Sequence, residues 1–476
     1  KLVDEGKYYF LSRPRRFGKS LFVDTLKSAF EAKKELFTGL YLESNWNWNQ
    51  NYPVVRFSFD GGKVENKQEM KKYINSIIRF WSRNYEVEIE EKLYYSMLTE
   101  LIYKIYKKTG KKVVLLIDEY DKPILDNIEK KEIAEEIREV LKGFYQTIKG
   151  LDQYLKFVFI TGISKFAKIS LFSGLNQLED ISLISEYGDI CGYTEEELLK
   201  VFGGLIKGDK ELEKIREWYN GYCWLASKIY NPFDILLYLK SKRFVPYWYK
   251  TGTPELLIKL IKQNNYDISA IDNIEIIESA LDKFDIDQIS IEALMFQTGY
   301  LTIHTYKDTL TERKYKLRFP NKEVEYSFGI TILSQLMKVD KIDLELSSKS
   351  EELQNALINE NLDKLKDLLE SLLRSISYEW YDRSEKSFGS AVYGFLYSTG
   401  FECITEKHTN KGRMDLLVIT PNKKKYIFEL KIVSQDQKGK SIQQVIQKEY
   451  HKGIEGAHII GIEFNPQTRD FFIFSQ

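Results

Sequence analysis

Nearly unbroken apolar runs alternate with amphipathic stretches in the N-terminal part of the chain, the pattern of buried strands joined by helices. The strand candidates are Tyr8-Tyr9-Phe10-Leu11, Val113-Val114-Leu115-Leu116-Ile117 and Lys156-Phe157-Val158-Phe159-Ile160. After the first comes Leu21-Phe22-Val23-Asp24-Thr25-Leu26, spaced for the buried face of a helix. From about residue 65 to residue 107 apolar positions recur at helical spacing, including Tyr73, Ile77, Phe80 and Trp81, and packing accounts for them. Farther on, Glu195-Glu196-Glu197-Leu198-Leu199 opens a helix behind Thr194 as N-cap. The tract from Glu351 to Ile376 puts Leu353, Leu357, Leu365, Leu368 and Leu372 on one helical face, and a second helix-like stretch starts at Glu385 and runs through Leu396. Near the end the period changes to two. Gly412–Ile419 and Lys425–Lys431 are β-branched and aromatic, and Pro421-Asn422 with its lysines separates them as a hairpin turn. The class is α/β, in three segments: 1–192, a helical or winged lid over 193–345, and 346–476.

The loop between the first strand and its helix is Arg13-Pro14-Arg15-Arg16-Phe17-Gly18-Lys19-Ser20. In a strand, loop and helix of this kind, main-chain N–H groups and the helix N-terminus surround phosphate oxygens. Lys19 would reach the β and γ phosphates and Ser20 would ligate Mg²⁺. The usual pattern is GxxxxGK[ST]; here Arg13 stands where the first glycine belongs and Pro14 follows, so the loop turns differently. We expect at least one guanidinium of Arg13, Arg15 and Arg16 to meet phosphate or a carboxylate, since the planar fork suits either. The apolar strand ending in Asp118-Glu119 supplies the other half of a nucleoside triphosphate site. Asp118 would hold the Mg²⁺ shell and Glu119 would polarise the attacking water.

If the C-terminal hairpin pairs antiparallel around its turn, Asp415 lies opposite Glu429, and Lys431 shares the face of Glu429. Two carboxylates and an ammonium then converge, the donors a metal-dependent phosphodiesterase needs. Asp415 and Glu429 would take Mg²⁺ or Mn²⁺ through oxygen, and Lys431 would orient water or stabilise developing charge.

Tyr9 to Ser20 resembles the signature of bacterial AAA-ATPase-like proteins that carry a C-terminal PD-(D/E)XK nuclease-like domain. Further likenesses are Ile117-Asp118-Glu119-Tyr120-Asp121, Thr161-Gly162-Ile163-Ser164-Lys165-Phe166, Tyr219-Asn220-Gly221-Tyr222 and Tyr230-Asn231-Pro232-Phe233, so the resemblance spans essentially the whole chain. It implies a P-loop AAA-type ATPase domain with a helical lid, followed by an α/β nuclease-like domain. Arg13, Arg15, Arg16, Phe17, Gly18, Lys19, Ser20, Asp118 and Thr161 would then bind ATP and its Mg²⁺, with Thr161 sensing the γ phosphate. Arg138 and Arg216 are the arginine-finger candidates, and the sequence selects neither. In the C-terminal part the Asp…Glu-x-Lys spacing resembles the PD-(D/E)XK core. Ser441–Tyr450 resembles the helix that follows it, in which Gln444 and Tyr450 support the site, and Glu385 could add a carboxylate. The resemblance also implies a lead-in before the first strand, so a chain beginning at Lys1 is expected to start inside the natural protein.

Composition sets the bounds. Lys plus Arg and Asp plus Glu are 70 each, so net charge argues nothing about nucleic acid. From Phe401 onward there are twelve basic and nine acidic residues, so a groove for DNA or RNA must come from local arrangement. Cys191, Cys223 and Cys403 suggest neither disulfides nor zinc, which fits a reducing cytoplasm. No apolar run approaches the roughly 20 residues of a membrane span. The sequence leaves open the choice of DNA or RNA, a homo-oligomer, and two alternatives to an ATP-regulated nuclease: a switch whose nuclease-like part only binds, or a scaffold with both sites degenerate.

Overall fold

The computed structural model describes the chain except residues 166–170, 173, 249–254, 265, 269–270, 272–273, 282–283, 286–287, 338–341, 376–384, 410–411, 434–438, 449–453, 466 and 469. Two compact units interleave along the sequence: Lys1–Lys200 with Cys223–Pro232 and Ser279–Gly299, and Val201–Tyr222 with Phe233–Glu278 and Tyr300–Gln476.

The first unit is built on a parallel sheet of β1 (Tyr8–Ser12), β2 (Val54–Ser58), β3 (Val113–Asp118), β4 (Leu155–Gly162) and β5 (Glu179–Asp180), ordered β2-β3-β4-β1-β5. All of β1 and β3 is buried, which is why both read as unbroken apolar runs. Helix α1 (Lys19–Phe30) packs on β3 and β4, with Phe22 against Phe159 at 5.3 Å and Phe30 against Phe157 at 5.3 Å. Helices α2 (Lys67–Asn84), α3 (Tyr94–Thr109) and α4 (Lys131–Gly150) pack against one another, and Phe144 of α4 meets Phe57 of β2 at 4.9 Å. The register pairs Ser12 with Gly162 and Ser58 with Asp118, so β1, β2, β3 and β4 end level with one another. In an open parallel sheet that edge is where ligands bind.

In the second unit, helices α5 (Asp209–Tyr219), α6 (Pro232–Ser241) and α7 (Lys322–Met337) accompany an antiparallel sheet of β6 (Glu275–Ile277), β7 (Thr302–Asp308) and β8 (Arg313–Arg318), ordered β7-β8-β6. Helices α8 (Ile342–Ile358) and α9 (Leu362–Ser375) lead to α10 (Glu385–Tyr397) and a mixed sheet in chain order, β9 (Glu402–Thr409), β10 (Gly412–Ile419), β11 (Lys425–Ile432), β12 (Ala457–Asn465) and β13 (Asp470–Ser475). Strands β11 and β12 are parallel and α11 (Lys440–Gln447) makes the crossover between them; the other pairs are antiparallel. Helices α7 and α10 cross at Gly329 and Gly394. A Cβ at Gly329 would lie 2.8 Å from Ser398 N and 2.9 Å from Gly394 O, so only glycine allows this approach.

Helices α6 and α7 each place a wholly buried acid in the first turn, Asp234 and Glu323. Burial, then repulsion by Glu323, pushes the Asp234 carboxyl well up. Burial lifts Glu323 to about 7, opposed by hydrogen bonds from Asp234 and from the Trp248 N–H at 2.7 Å. A group raised in the folded state contributes stability at acid pH that is lost as pH rises through its folded value. We therefore expect the melting temperature of this unit to fall between about pH 5 and pH 8 and the fall to shrink in Glu323→Gln. Equal pH dependence of wild type and variant by differential scanning calorimetry would remove the account.

Candidate functional site

From the end of β1 the chain turns through Arg13–Gly18 into α1, with Arg16 at φ 70° and Gly18 at φ 93°, both left-handed. Left-handed residues in a turn point successive N–H groups into one concavity, an anion cradle. A Cβ built on Gly18 meets nothing within 4 Å, so the glycine answers to the backbone angle, and the space beside it is open. Lys19 is buried and donates to Arg13 O at 2.9 Å and Pro14 O at 3.0 Å. Burial pushes its pKa down, against the nearby Asp121, Glu119 and Asp118. Ser20 is exposed in the first turn of α1, and Arg15 and Arg16 are exposed on the loop.

The side chains of Arg13 and Phe17 are engaged in the fold rather than in the phosphate contact expected of them. The guanidinium of Arg13 is wholly buried and donates to the carbonyls of Ser12, Ser182, Tyr187 and Gly188 at 2.8 to 3.3 Å, stacked 4.5 Å from the ring of Trp224. Phe17 packs edge-on against the same ring at 5.2 Å. The arginine in the glycine's place thus fixes the loop from beneath.

At the end of β3, Asp118 is 1% exposed and accepts from Thr161 Oγ1 at 2.7 Å and from Arg56 Nη2 at 2.9 Å. The chain reverses at Glu119, φ 54°, a conformation costly for a residue with a Cβ. Burial raises the Glu119 pKa, Lys19 opposes this, and Asp118, Asp121 and Asp60 add to it. Asp121 is wholly buried and accepts from Ser164 N at 2.8 Å, Ser164 Oγ at 2.6 Å and Ile163 N at 3.3 Å. Tyr120 N donates to Thr161 O at 3.0 Å, and a Cβ on Gly162 would lie 2.4 Å from the Tyr120 ring. The ends of β3 and β4 are therefore locked together. Asp118 and Thr161, both expected at the nucleotide, are hydrogen-bonded to each other; Arg56 and Asp121 are neighbours that the sequence reading did not place in the site. The available signal for Arg56 was a lone cation inside the apolar run Val54–Ser58. Arg138 lies on α4 beside Glu139 at 3.7 Å, and Arg216 lies on α5 in the second unit. Phe166 lies outside the described residues.

In the second unit, β10 pairs antiparallel with β11, Leu416 opposite Phe428, which brings Asp415 level with Glu429. Asp415 Oδ2 accepts from Leu430 N at 2.7 Å. Glu429 is wholly buried; Gln444 of α11 donates to its Oε1, and among the described residues its Oε2 has no hydrogen-bond partner. Burial and then the charge of Asp415 lift Glu429 to about 8, against Lys431 and Lys448. An orphaned buried carboxylate oxygen beside a second carboxylate fits a divalent cation, which would neutralise both. Among the described residues no third His, Cys, Asp or Glu joins them. Glu385 opens α10 with its side chain outside the described residues, and Tyr450 lies outside them as well. Helix α11 is held by the buried Glu463 of β12, which accepts from Gly439 N at 2.8 Å, Ser441 N at 2.7 Å and Ser441 Oγ at 2.8 Å. Lys448 and Glu463 were not foreseen, because the pairing joins distant parts of the chain.

The first unit gathers its acids and its lysine loop at one sheet edge, and the second carries the buried Glu429 beside the half-buried Asp415 on a mixed sheet. Residues 1–172 match the family model described as "Predicted AAA-ATPase", and residues 383–471 match that of the "PD-(D/E)XK nuclease superfamily". A curated relative, "Uncharacterized protein in vnfD 5'region" of Azotobacter chroococcum mcd 1, is 37% identical over 478 residues, 98% of this chain and 92% of that protein. The chain belongs to the bacterial AAA-ATPase-like family with a C-terminal PD-(D/E)XK nuclease superfamily domain. Among the described residues no helix is long and apolar enough to cross a membrane.

A cation held here would need Glu429 ionised, and with its carboxyl lifted to about 8 by burial and then by Asp415, binding would release that proton. We expect Mn²⁺ affinity of the nucleotide-free protein to rise by up to about tenfold per pH unit below that value and level off above it. Affinity that is flat with pH in isothermal calorimetry would contradict the assignment.

Proposed function

We propose that this chain is an ATP-binding and ATP-hydrolysing switch joined to a metal-dependent phosphodiesterase acting on DNA or RNA in the cytoplasm. The observation that carries the first half is the Thr161–Asp118 hydrogen bond at the ends of β4 and β3, beside the loop from the adjacent β1 that holds the buried Lys19 within the field of Asp118. In the P-loop reading, the Arg16–Gly18 cradle and the α1 N-terminus take the β and γ phosphates. Lys19 then exchanges two carbonyl partners for phosphate oxygen, and Ser20 and Asp118 hold Mg²⁺. Glu119, its carboxylate raised by burial, orients the water, and Thr161, bonded to Asp118, reads the γ phosphate. The switch reading fits that bond, because any ligand drawing on Asp118 also moves Thr161 and Arg56.

The second half rests on Glu429 and its orphaned oxygen. Asp415 and Glu429 would hold Mg²⁺ or Mn²⁺, and the ion would polarise the scissile phosphate. Lys431 supplies positive charge for the developing oxyanion, and Gln444 fixes the rotamer of Glu429.

Lys19→Ala should weaken ATP binding by several kcal/mol, because a charge-assisted phosphate contact is removed. Glu119→Gln should instead retain ATP and lose turnover. Calorimetry with ATP and a phosphate-release assay separate the two, and equal ATP affinity for wild type and Lys19→Ala would end the assignment.

For the second half, the assay is digestion of single- and double-stranded DNA and RNA with Mg²⁺ or Mn²⁺, with and without ATP. Asp415→Ala and Lys431→Ala should each lose cleavage while ATP hydrolysis stays near normal, and Lys19→Ala should change cleavage from a distance. No cutting under any condition would turn the assignment towards a binding module, and cleavage unchanged in Lys19→Ala would leave the two activities uncoupled.

A further inference from the structure

The β7–β8 hairpin carries a charge arrangement that the fold does not need. Its register places Lys307 directly opposite Lys314, and Thr305 opposite Lys316. Side chains alternate across a strand, so Lys307, Lys314 and Lys316 lie on one face. The other face takes Tyr315 and Leu317, both buried, at its base. Toward the tip, that face also carries Arg313, which is ion-paired with Asp308 at 2.6 Å and lies 4.4 Å over the ring of Tyr306. On the lysine face, Lys307 and Lys314 are exposed, and acids there are the exposed Glu275 of β6, the register partner of Lys316, and Glu312 in the turn. Like charges directly opposite each other destabilise a sheet. This pair therefore weakens the hairpin unless a polyanion lies across it.

The shape narrows the partner. Strand β7 is the outer strand of its sheet, and β8 meets β6 over Lys314–Lys316, so the pair Asp308–Arg313 and the turn it closes form a narrow two-stranded end past the third strand. At its tip Leu310 is fully exposed, at 106% of its reference area, while Tyr306 is 52% exposed. The B-DNA major groove, about 12 Å wide, admits a two-stranded ribbon, and the deep narrow major groove of A-form RNA does not. An apolar tip on such a ribbon can press against bases while flanking cations meet phosphate.

We propose that the Thr302–Arg318 hairpin is a docking element for double-stranded DNA, with Lys307, Lys314 and Lys316 on the phosphates and Leu310 at the bases. The inference deepens the phosphodiesterase reading and rests on it for the choice of a nucleic acid; it identifies duplex DNA as the substrate class held by the same unit.

The test is fluorescence anisotropy of the full chain with labelled double-stranded DNA, double-stranded RNA and single-stranded DNA, in EDTA so that no strand is cut. Binding constants are measured across a salt series. Wild type should prefer the DNA duplex, and Lys307→Ala/Lys314→Ala/Lys316→Ala should lower the slope of log K against log salt by about one per lysine. Leu310→Ser should weaken binding with the slope unchanged. These positions are at the surface, and a thermal melt matching wild type confirms that the variants fold. No duplex binding by wild type, a preference for RNA, or an unaltered slope in the triple variant would each overturn the proposal. Cleavage assayed separately with Mn²⁺ tests the other reading: a chain that shows the expected slope change and never cuts keeps the docking element and loses the phosphodiesterase.

Discussion

Carboxylates held out of water on buried strands or just past their ends are the constraint on which both units depend. An ionised carboxylate loses its hydration on burial and recovers it only from hydrogen bonds or a cation. Asp118 and Asp121 are supplied by the protein, with Thr161, Arg56, Ser164 and Ile163 as donors. Glu429 is supplied in part: Gln444 serves one oxygen and, among the described residues, nothing hydrogen-bonds the other. The unserved oxygen is the place we assign to a cation. It also explains why Glu429 is raised to about 8.

The same logic orders the nucleotide-loop surroundings. With an arginine in place of the first glycine, the chain cannot fold back over an open turn, so the Arg13 guanidinium is buried and consumed by four carbonyls and the Trp224 ring. That fixes the carbonyls of Arg13 and Pro14, which in turn hold Lys19. Arg56 acts similarly at the far side, joining Asp118 to the neighbourhood of Asp24 on α1, 3.6 Å away. Loop, helix and strand end are thereby set without a ligand, which would lower the ordering cost of the phosphate binding we propose.

Legibility in the sequence followed the range of the interaction. Strands β1, β3 and β4 were readable because full burial leaves a continuous apolar signal, and the β10–β11 hairpin because period two and a Pro-Asn turn fix its register. Those local rules were enough to bring Asp415 to Glu429, and the family resemblance was enough to associate Thr161 with Asp118. What stayed hidden depends on partners far along the chain. Arg13 finds its acceptors at Ser182 to Gly188, Glu463 reaches back to Gly439, and Asp234 meets Glu323. None leaves a periodic trace. The lysine pair of the β7–β8 hairpin is readable only once the register is known.

The central claim is that two separate acid clusters are each completed by a divalent cation, one of them with nucleotide. Anomalous diffraction at the manganese edge tests it directly, on crystals grown with Mn²⁺ and a non-hydrolysable ATP analogue. The account predicts a peak between Asp415 and Glu429 within oxygen-ligand distance, about 2.0 to 2.6 Å, and a second beside Ser20 and Asp118 that requires the analogue. Ordered nucleotide away from Lys19, or an empty Glu429 site at saturating Mn²⁺ above about pH 8, would contradict it.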